Sequence, residues 1–223
     1  MRVLLAGVAL TATLAAGDRS RHRVEFDTAE TVDFVDRGTI RIDDSFGELR
    51  VEGWDKRKVE IAVERGTNRR YKAEDTWKGR QHLAQVRVET SRSGDELLIK
   101  TRFPDRGLFS MFRGKTNLRL HYTVKVPSGS KLSIRHSVGE VVIRNVKGDV
   151  DVSNGVGEVS LRLPRDQEFD IDARARIGDV SSDFSGRSRR RNVLGAEFRS
   201  RDGDKAPRIH ARVGVGEIRI DRD

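Results

Sequence analysis

The sequence predicts an all-β protein, built as a β-solenoid-like or β-roll-like stack of short Gly-Asp/Glu corners with one short helical insertion near residues 70–84. Three observations favour this fold. Apolar and polar residues alternate over most of the chain, as they do in half-buried strands. A Gly-acid pair recurs between these strands. Charged residues make up 35% of the 223 residues, above the roughly 25% of an average soluble domain, which suits a thin fold with much surface.

The N terminus carries the pattern of an export signal. Arg2 is followed by an apolar run over residues 3–16 that small residues close. This order predicts a signal peptide over residues 1–17, because the run is shorter than the about 20 apolar residues of a membrane span. An uncleaved anchor is the alternative. The remainder divides into an N-terminal extension, 18–38, and a single domain, 39–223, of an exported protein in the periplasm, the cell envelope or the medium.

Composition limits the chemistry and the partners. The chain has no cysteine, which excludes disulfides, thiolate catalysis, cysteine-bound zinc and lipid attachment to cysteine. The formal charge of +9 becomes +8 when Arg2 leaves with the signal. Outside the cytoplasm, such a surface would meet acidic polysaccharide or anionic lipid headgroups rather than nucleic acid. The alternative is that the charge serves only solubility.

The elements follow this alternation in order. Residues 40–63 predict short strands, residues 86–99 predict a hairpin around a Ser-Gly-Asp turn, and residues 118–163 continue the pattern almost unbroken. Residues 68–84 lack the alternation, and they predict a short helix. Residues 185–207 form a basic connection that includes a strand near Ala196 to Arg199.

The Gly-acid pair is an internal repeat. Five copies have the form apolar-Gly-acid-apolar, and a sixth pair lies between two of them. Steps of nine residues separate the second, third and fourth pairs, and such a period can define a whole architecture. The glycines predicted to form structural corners are Gly47, Gly139, Gly148, Gly157, Gly178 and Gly216.

The apolar positions change parity at five of these pairs. A flat strand with such a shift would turn its apolar residues towards water, so each pair predicts a corner, a bulge or a tight turn. Glycine suits these positions because it accepts a positive φ. We expect the acid to point outwards and the apolar residues on both sides to reach the core. Hairpins and a solenoid both satisfy the pattern, and the nine-residue step favours the solenoid.

Three stretches carry a resemblance to a known family: "GELRVEGWDKRKVEIAVE", "GEVVIRNVKGDVDVSNGVGEVSLRLP" and "PRIHARVGVGEIRID". Together they resemble the bacterial putative-adhesin domain of unknown function, the toast-rack type, from about Ile40 to Ile220. The resemblance implies an exported or envelope protein with a β-solenoid core, and it implies no catalytic residue. Glu replaces the more usual Asp at most corners, and the arginine-rich connection after Ser185 is a further departure.

Chemical readings of the repeat find little support. A calcium-binding roll needs a ligand Asp where Val159 stands, and one acid per corner supplies too few of the six to eight oxygens. The five histidines have no paired metal-ligand spacing, and no nucleophile elbow occurs. His136 falls on the inward parity of its strand, as a packed ring does. The glycines precede strands, whereas a phosphate loop opens a helix. We therefore expect no enzyme activity, metal or cofactor.

Two surface features are candidates for recognition. The "GLFSMF" loop carries an apolar tip with basic flanks, which suits a partner or an anionic membrane, or a cap on the open end of the core. Its apolar residues are Leu108, Phe109, Met111 and Phe112. The second feature is a positive patch that could meet anionic polymers or only be solvated, and it consists of Arg187, Arg189, Arg190 and Arg191.

These observations predict an exported, non-enzymatic binding or structural module of the cell envelope that recognises its partner through surface loops. An envelope protein is the first expected partner, and polysaccharide or anionic lipid is the second. An envelope hydrolase with a carboxylate pair is the alternative from a different class. It would need three or more acids with shifted pKa values in one cleft. End-to-end self-association of the stack is a further expectation.

Overall fold

A computed structural model describes residues 21–44, 46–68, 70–103, 118–191, 194–201, 203 and 205–223. These residues form fourteen strands, a 3-10 turn at Ala73–Asp75 and one short helix, α1, at Thr76–Ala84. The predicted all-β class with one short helix near residues 70–84 is confirmed. The strands are β1 (Glu25–Asp33), β2 (Thr39–Asp43), β3 (Phe46–Trp54), β4 (Lys58–Thr67), β5 (Arg87–Ser93), β6 (Glu96–Arg102), β7 (Leu118–Pro127), β8 (Lys131–Arg144), β9 (Val150–Leu163), β10 (Asp170–Ile177), β11 (Val180–Ser182), β12 (Arg187–Arg191), β13 (Gly195–Ser200) and β14 (Arg208–Arg222).

All fourteen strands belong to one large mixed sheet. Its main path runs β1-β4-β7-β3-β8-β9-β14-β10-β13-β12. The long strands have two partners on the same side. The first half of β8 pairs with β2, and its second half pairs with β3, both in parallel. The long strands β8, β9 and β14 each contain a Gly-Glu pair, at Gly139, Gly157 and Gly216. We call the strand halves before these glycines the first arm of the sheet and the halves after them the second arm.

The first arm continues from β2 to β6 and β5, and at its other end from β14 to β10, β13 and β12. The second arm continues from β3 to β7, β4 and β1, and at its other end from β14 to β11. In the middle of both arms β8, β9 and β14 are parallel neighbours. The strands next to this centre are also parallel, and among the described strands antiparallel pairs occur only further out.

Successive strands repeat with a constant register. Leu132 pairs with Val150, and Gly139 pairs with Gly157, so the step from β8 to β9 takes 18 residues. Parallel strands need a long connection between them, and here the second arm of β8 supplies most of it. The step is twice the nine-residue spacing between the glycines in the sequence.

Both arms pack on one contiguous apolar core. Ile40 and Ile134 from the first arm and Leu49 and Leu161 from the second are at most 2% exposed and belong to the same cluster. Phe169 lies at 0% exposure in this cluster, and its ring meets that of Phe184 edge-on with centroids 6.1 Å apart. Residues of both arms are therefore buried in the same core.

The predicted N-terminal extension, residues 18–38, contains part of the sheet. Strand β1 pairs with β4 over nine residues, and Phe34 is buried in the core. Helix α1 packs beside it, with Gly79 and Leu83 as its buried residues. A side chain at Gly79 would contact Val24 and Tyr71, so the glycine that interrupts the helical pattern permits this packing.

The last strand lies inside the sheet. Strand β14 pairs with β9 from Ile209 to Arg222 on one side and with β10 on the other. Spatial order therefore departs from chain order, because β14 separates β9 from β10. The predicted basic connection over residues 185–207 contains β13, as expected near Ala196, and also β12, which the sequence did not predict.

Candidate binding surface along the glycine column

Five of the six predicted corner glycines stack into one column across the sheet. Gly47 pairs with Gly139, Gly139 with Gly157, and Gly157 with Gly216. A Cβ on each of the last three would overlap the carbonyl oxygen of the glycine before it, and one on Gly178 would overlap that of Gly216. The φ angles of all five lie between 117° and 138°, in a region that side chains disfavour. Only glycine meets both demands.

Gly148 is a different kind of corner. It lies between β8 and β9, outside the column, and it does not belong to the glycines with positive φ. A Cβ there would meet the carbonyl oxygens of Gly129 and Ser130. Close approach of neighbouring backbone, rather than its own backbone angle, therefore requires glycine at this position.

The residue before each column glycine corrects one expectation. We expected the apolar residues on both sides to reach the core, but four of the five preceding residues are exposed. Val138, Val156, Ile177 and Val215 are exposed by 52%, 47%, 40% and 44%. In β8 the core pattern runs instead from His136 across the glycine to Val141, so that Ser137 and Val138 both turn outwards before Gly139. The predicted parity change does occur, but the apolar residue directly before each of these four glycines faces solvent rather than the core.

These four residues form a continuous strip that we call the apolar ridge. Val138 pairs with Val156, Val156 with Val215, and Val215 with Ile177. Since neighbouring strands lie about 4.8 Å apart, the ridge extends about 14 Å. At one end the half-buried Phe46, next in register, stacks on Phe103 with ring centroids 5.8 Å apart.

The other end of the ridge also carries an apolar residue. The carbonyl of Leu194 accepts a hydrogen bond from the amide of Gly178, at 2.8 Å. The Leu194 side chain is 61% exposed. It therefore lengthens the exposed apolar surface next to Ile177.

A column of glutamates runs beside the ridge. Glu48, Glu140, Glu158 and Glu217 are paired in register, each two residues after a ridge position or Phe46. Arg219 neutralises part of it, with Nη1 3.0 Å from Glu158 Oε1. Glu48 bonds Arg50 and lies 2.9 Å from His121 Nδ1. Among the residues the structure describes, Glu140 has no ion pair, which leaves negative charge at the centre of the column.

A buried polar cluster lies inside the corner. His136 Nδ1 bonds Asp44 Oδ1, and both side chains are at most 1% exposed. Asn154, in register with His136, donates from Nδ2 to the carbonyl of Gly139 at 2.8 Å. Burial raises the pKa of Asp44, and the bond to His136 opposes this. His136 is thus the packed ring that its parity predicted, but its partner lies 92 residues away and no local signal identifies it.

This cluster is closed to substrate, because neither Asp44 nor His136 reaches the surface. No group of three or more His, Asp or Glu residues within the described ranges could hold a metal ion. The buried cluster is therefore able to stabilise the corner beneath the ridge, and Asp44 and His136 are not accessible as an acid–base pair.

The predicted positive patch forms the edge strand β12. The side chains of Arg187, Arg189 and Arg190 are exposed, and Arg190 lies 3.8 Å from Asp179. Four strands lie between this patch and β8 in the sheet. The predicted apolar loop with Leu108, Phe109, Met111 and Phe112 lies outside the described residues.

The structure also contains a cleft that the sequence did not predict. A cleft of about 480 Å³ is lined by Arg21, Arg70, Tyr71, Lys72 and Asp75. Two backbone hydrogen bonds between His22 and Tyr71 hold its walls together. Three cations and one acid make this cleft basic. Four of its five lining residues lie within residues 70–75, but only the tertiary structure brings Arg21 to them.

The one helix in the described part of the chain lacks the length and apolarity that a membrane crossing requires. No protein-family model matches the chain, and no curated protein matches it. Solved structures do. A crystal structure described as a putative cell adhesion protein from Clostridium sporogenes has a TM-score of 0.50 at 14% identity, over 89% of this chain and 100% of that one.

Two further structures are more distant. One is described as a putative adhesin from Bacteroides fragilis, with a TM-score of 0.31 and 9% identity over 92% of this chain and 99% of that one. The other is described as a putative lipid binding protein from Parabacteroides distasonis, with a TM-score of 0.27 and 9% identity over 88% and 96%. TM-scores this low support no inference about this chain. The fold is therefore shared with the clostridial structure described as a putative cell adhesion protein.

Proposed function

We propose that this protein is an exported, non-enzymatic binding module of the cell envelope, adhesin-like in role, and that the apolar ridge is its recognition surface. The observation that carries the proposal is the in-register exposure of Val138, Val156, Val215 and Ile177. Contiguous exposed apolar residues mark interaction sites more often than scattered ones do. This places recognition on the repeat itself, in addition to the loops that the sequence favoured.

The backbone beneath the ridge supports this role. Each ridge residue sits beside a glycine that no other residue can replace without overlap, so the spacing between ridge side chains is rigid. Rigid presentation lowers the entropy lost on binding. The glutamate column beside the ridge favours a protein partner that combines apolar side chains with Lys or Arg, because opposite charges steer association.

We also propose that the stacked strands form a solenoid. The 18-residue step from β8 to β9, the parallel register of β8, β9 and β14, and the single glycine column support a coil in which each rung buries its apolar residues against the next. Export through the signal at residues 1–17 belongs to the same proposal, since an adhesin-like module acts outside the cytoplasm.

The test is binding of the purified protein to envelope proteins from the producing bacterium. The ridge variant Val156→Lys with Val215→Lys should lose most of the captured partner, while the control Trp77→Ser should keep it, because Trp77 is 58% exposed on α1, outside the ridge. Circular dichroism should show both variants folded. Equal capture by the ridge variant and the parent would refute the role of the ridge.

The basic cleft favours a second candidate, binding of anionic polysaccharide or lipid. Arg21, Arg70 and Lys72 line it, and such clusters attract anionic surfaces. Flotation with vesicles of neutral lipid and of the same lipid containing an anionic component tests it. Binding that needs the anionic component and is lost in Arg70→Ser with Lys72→Ser would support lipid as the ligand, whereas no flotation by the parent would reject lipid binding.

A further inference from the structure

The two ends of the main strand path carry opposite charges. Strand β1 is the first strand of this path and β12 is the last. Among the described residues, β1 pairs only with β4 and β12 only with β13. Among the described residues, each strand therefore has one edge without a strand partner, and at one end of the β1 edge the carbonyl of Asp33 already accepts a hydrogen bond from Arg92 Nη1, at 2.6 Å.

The β1 edge is acidic. Its nine residues contain four acids and no Lys or Arg, although the whole chain has 44 Lys and Arg against 35 Asp and Glu. Glu25 is 3.5 Å from Arg119, and Glu30 accepts from Thr90 Oγ1 at 2.8 Å. The carboxylates of Asp27 and Asp33 have no ion pair among the described residues. The strand therefore departs in sign from a chain that is otherwise basic.

The residues of β1 whose backbone groups face the unpaired edge include most of these acids. The amide of Thr67 on β4 donates to Val24, and the amide of Phe34 donates to Arg57, just beyond β4. Every second residue of an antiparallel strand faces the same neighbour, and the register from residue 25 to residue 33 is unbroken. The odd-numbered residues therefore point their N–H and C=O groups to the free edge. Glu25, Asp27 and Asp33 belong to this set, and all three are exposed.

The β12 edge is basic. Its sequence RSRRR has four arginines and no acid. Arg187 and Arg189 are exposed, and among the described residues neither lies in an ion pair. They are two residues apart and point to the same face of the strand, opposite Arg199 and Glu197 of β13. Glu25 and Asp27 have the same spacing on β1.

Charged edges prevent strands from aggregating, but this purpose does not require opposite signs at the two ends. Repulsion disfavours contact between two β1 edges or two β12 edges. Opposite charges across neighbouring strands are favourable. We propose that copies of this chain associate head to tail, with β12 of one copy pairing along β1 of the next, and with Arg187 and Arg189 facing Glu25 and Asp27.

This contact joins two different surfaces of neighbouring copies, so every open assembly keeps one acidic and one basic edge free. Such an interface grows into open linear chains unless its rotation closes a ring. The contact is a single short strand pair, which gives weak association. The association depends on concentration and weakens as salt screens the charges. The proposal does not depend on the apolar ridge, because neither edge strand contributes to it.

The experiment is sedimentation velocity of the purified full chain over a concentration series at low and high salt. The parent should associate at low salt and dissociate towards monomer at high salt. Charge reversal on β12 alone (Arg187→Glu with Arg189→Glu) or on β1 alone (Glu25→Lys with Asp27→Lys) should weaken self-association roughly tenfold, since two favourable pairs become repulsive. Melting temperatures close to that of the parent show that each variant is folded.

The decisive step restores the charge match. An equimolar mixture of the two reversed variants should associate again, and so should a chain that carries both reversals. A parent that stays monomeric at every concentration overturns the proposal. Reversed variants that associate like the parent, or a folded mixture that does not associate, also overturn it. If a reversal prevents folding, the neutral changes Arg187→Gln and Asp27→Asn replace it, and each should weaken association.

Discussion

Glycine is required at single residues of the column for two physical reasons that can be separated. Gly157 has φ at +132°, and a Cβ there would overlap the carbonyl oxygen of Gly139. Gly203 has φ at +114° with open space around it. The pair therefore distinguishes backbone strain from overlap.

We expect Gly157→Ala to lower the free energy of unfolding by about 3 kcal/mol or more, and Gly203→Ala by about 1–2 kcal/mol. Strain at such backbone angles costs about 1–3 kcal/mol, and the overlap in the column adds to it. Urea unfolding of both variants measures the difference. Equal losses would mean that the stacking of glycines adds nothing to the strain.

Asp44 gives the stability of the folded state a pH dependence whose sign is unusual for a carboxyl group. Burial raises its pKa above the ordinary 3.8, so the folded state holds the proton more tightly than the unfolded state. Stability that comes from this group is therefore present below pH 3.8 and is lost as the pH rises through the folded pKa. A carboxylate with a lowered pKa would do the opposite.

Asp44→Asn tests this sign, because the amide cannot ionise and still reaches His136. We expect the variant to gain stability relative to the parent as the pH rises from about 4 to 7. Urea unfolding at several pH values gives the difference in free energy. A difference that is constant with pH, or that moves the other way, would contradict the raised pKa.

At the scale of the strand, the change of direction at each column glycine decides which apolar residues belong to the core. Val156 and Val159 lie three residues apart in β9, on either side of Gly157. The first is 47% exposed, and the second is 0% exposed. The sequence pattern predicted that both valines would reach the core.

Replacing each valine by threonine, which keeps the shape and adds a hydroxyl, checks this assignment. Val159→Thr should cost about 1–3 kcal/mol, because it buries a hydroxyl in an apolar core. Val156→Thr should change stability by less than about 0.5 kcal/mol, as surface changes do. Urea unfolding measures both. Similar costs for the two changes would place Val156 in the core after all.

At the scale of the whole molecule, the last strand holds the sheet together. Strand β14 pairs with β9 over both arms and separates β9 from β10. A stack whose spatial order followed the chain would have its last strand at an end. In this protein β14 is an interior strand instead, whereas β1, the first strand in the chain, lies at an edge.

Truncation compares the two positions. A chain ending at Ala206, without β14, should fail to fold, because β10 to β13 lose their attachment to the core and β9 loses a neighbour. A chain that begins at Phe34, without β1, should fold with lower stability. Circular dichroism and limited proteolysis distinguish the outcomes. A folded chain without β14 would show that the interior position contributes little.

The sequence by itself determined the local features of this protein. Alternation predicted the strands, the loss of alternation at residues 68–84 predicted the helix, and the parity change located the corner glycines. These features follow from side-chain period and backbone conformation, which neighbouring residues dictate. The solenoid prediction also rests on such periodicity.

Only the tertiary structure decided which strands and side chains these features contact. The place of β14 between β9 and β10, the bond from His136 to Asp44 and the outward turn of Val156 depend on which strands pair and in which register. Pairing joins residues far apart in sequence, and its free energy comes from shared burial rather than local preference. The repeat thus predicted where the chain turns, and the packing of its copies decided that the turns carry an exposed apolar ridge.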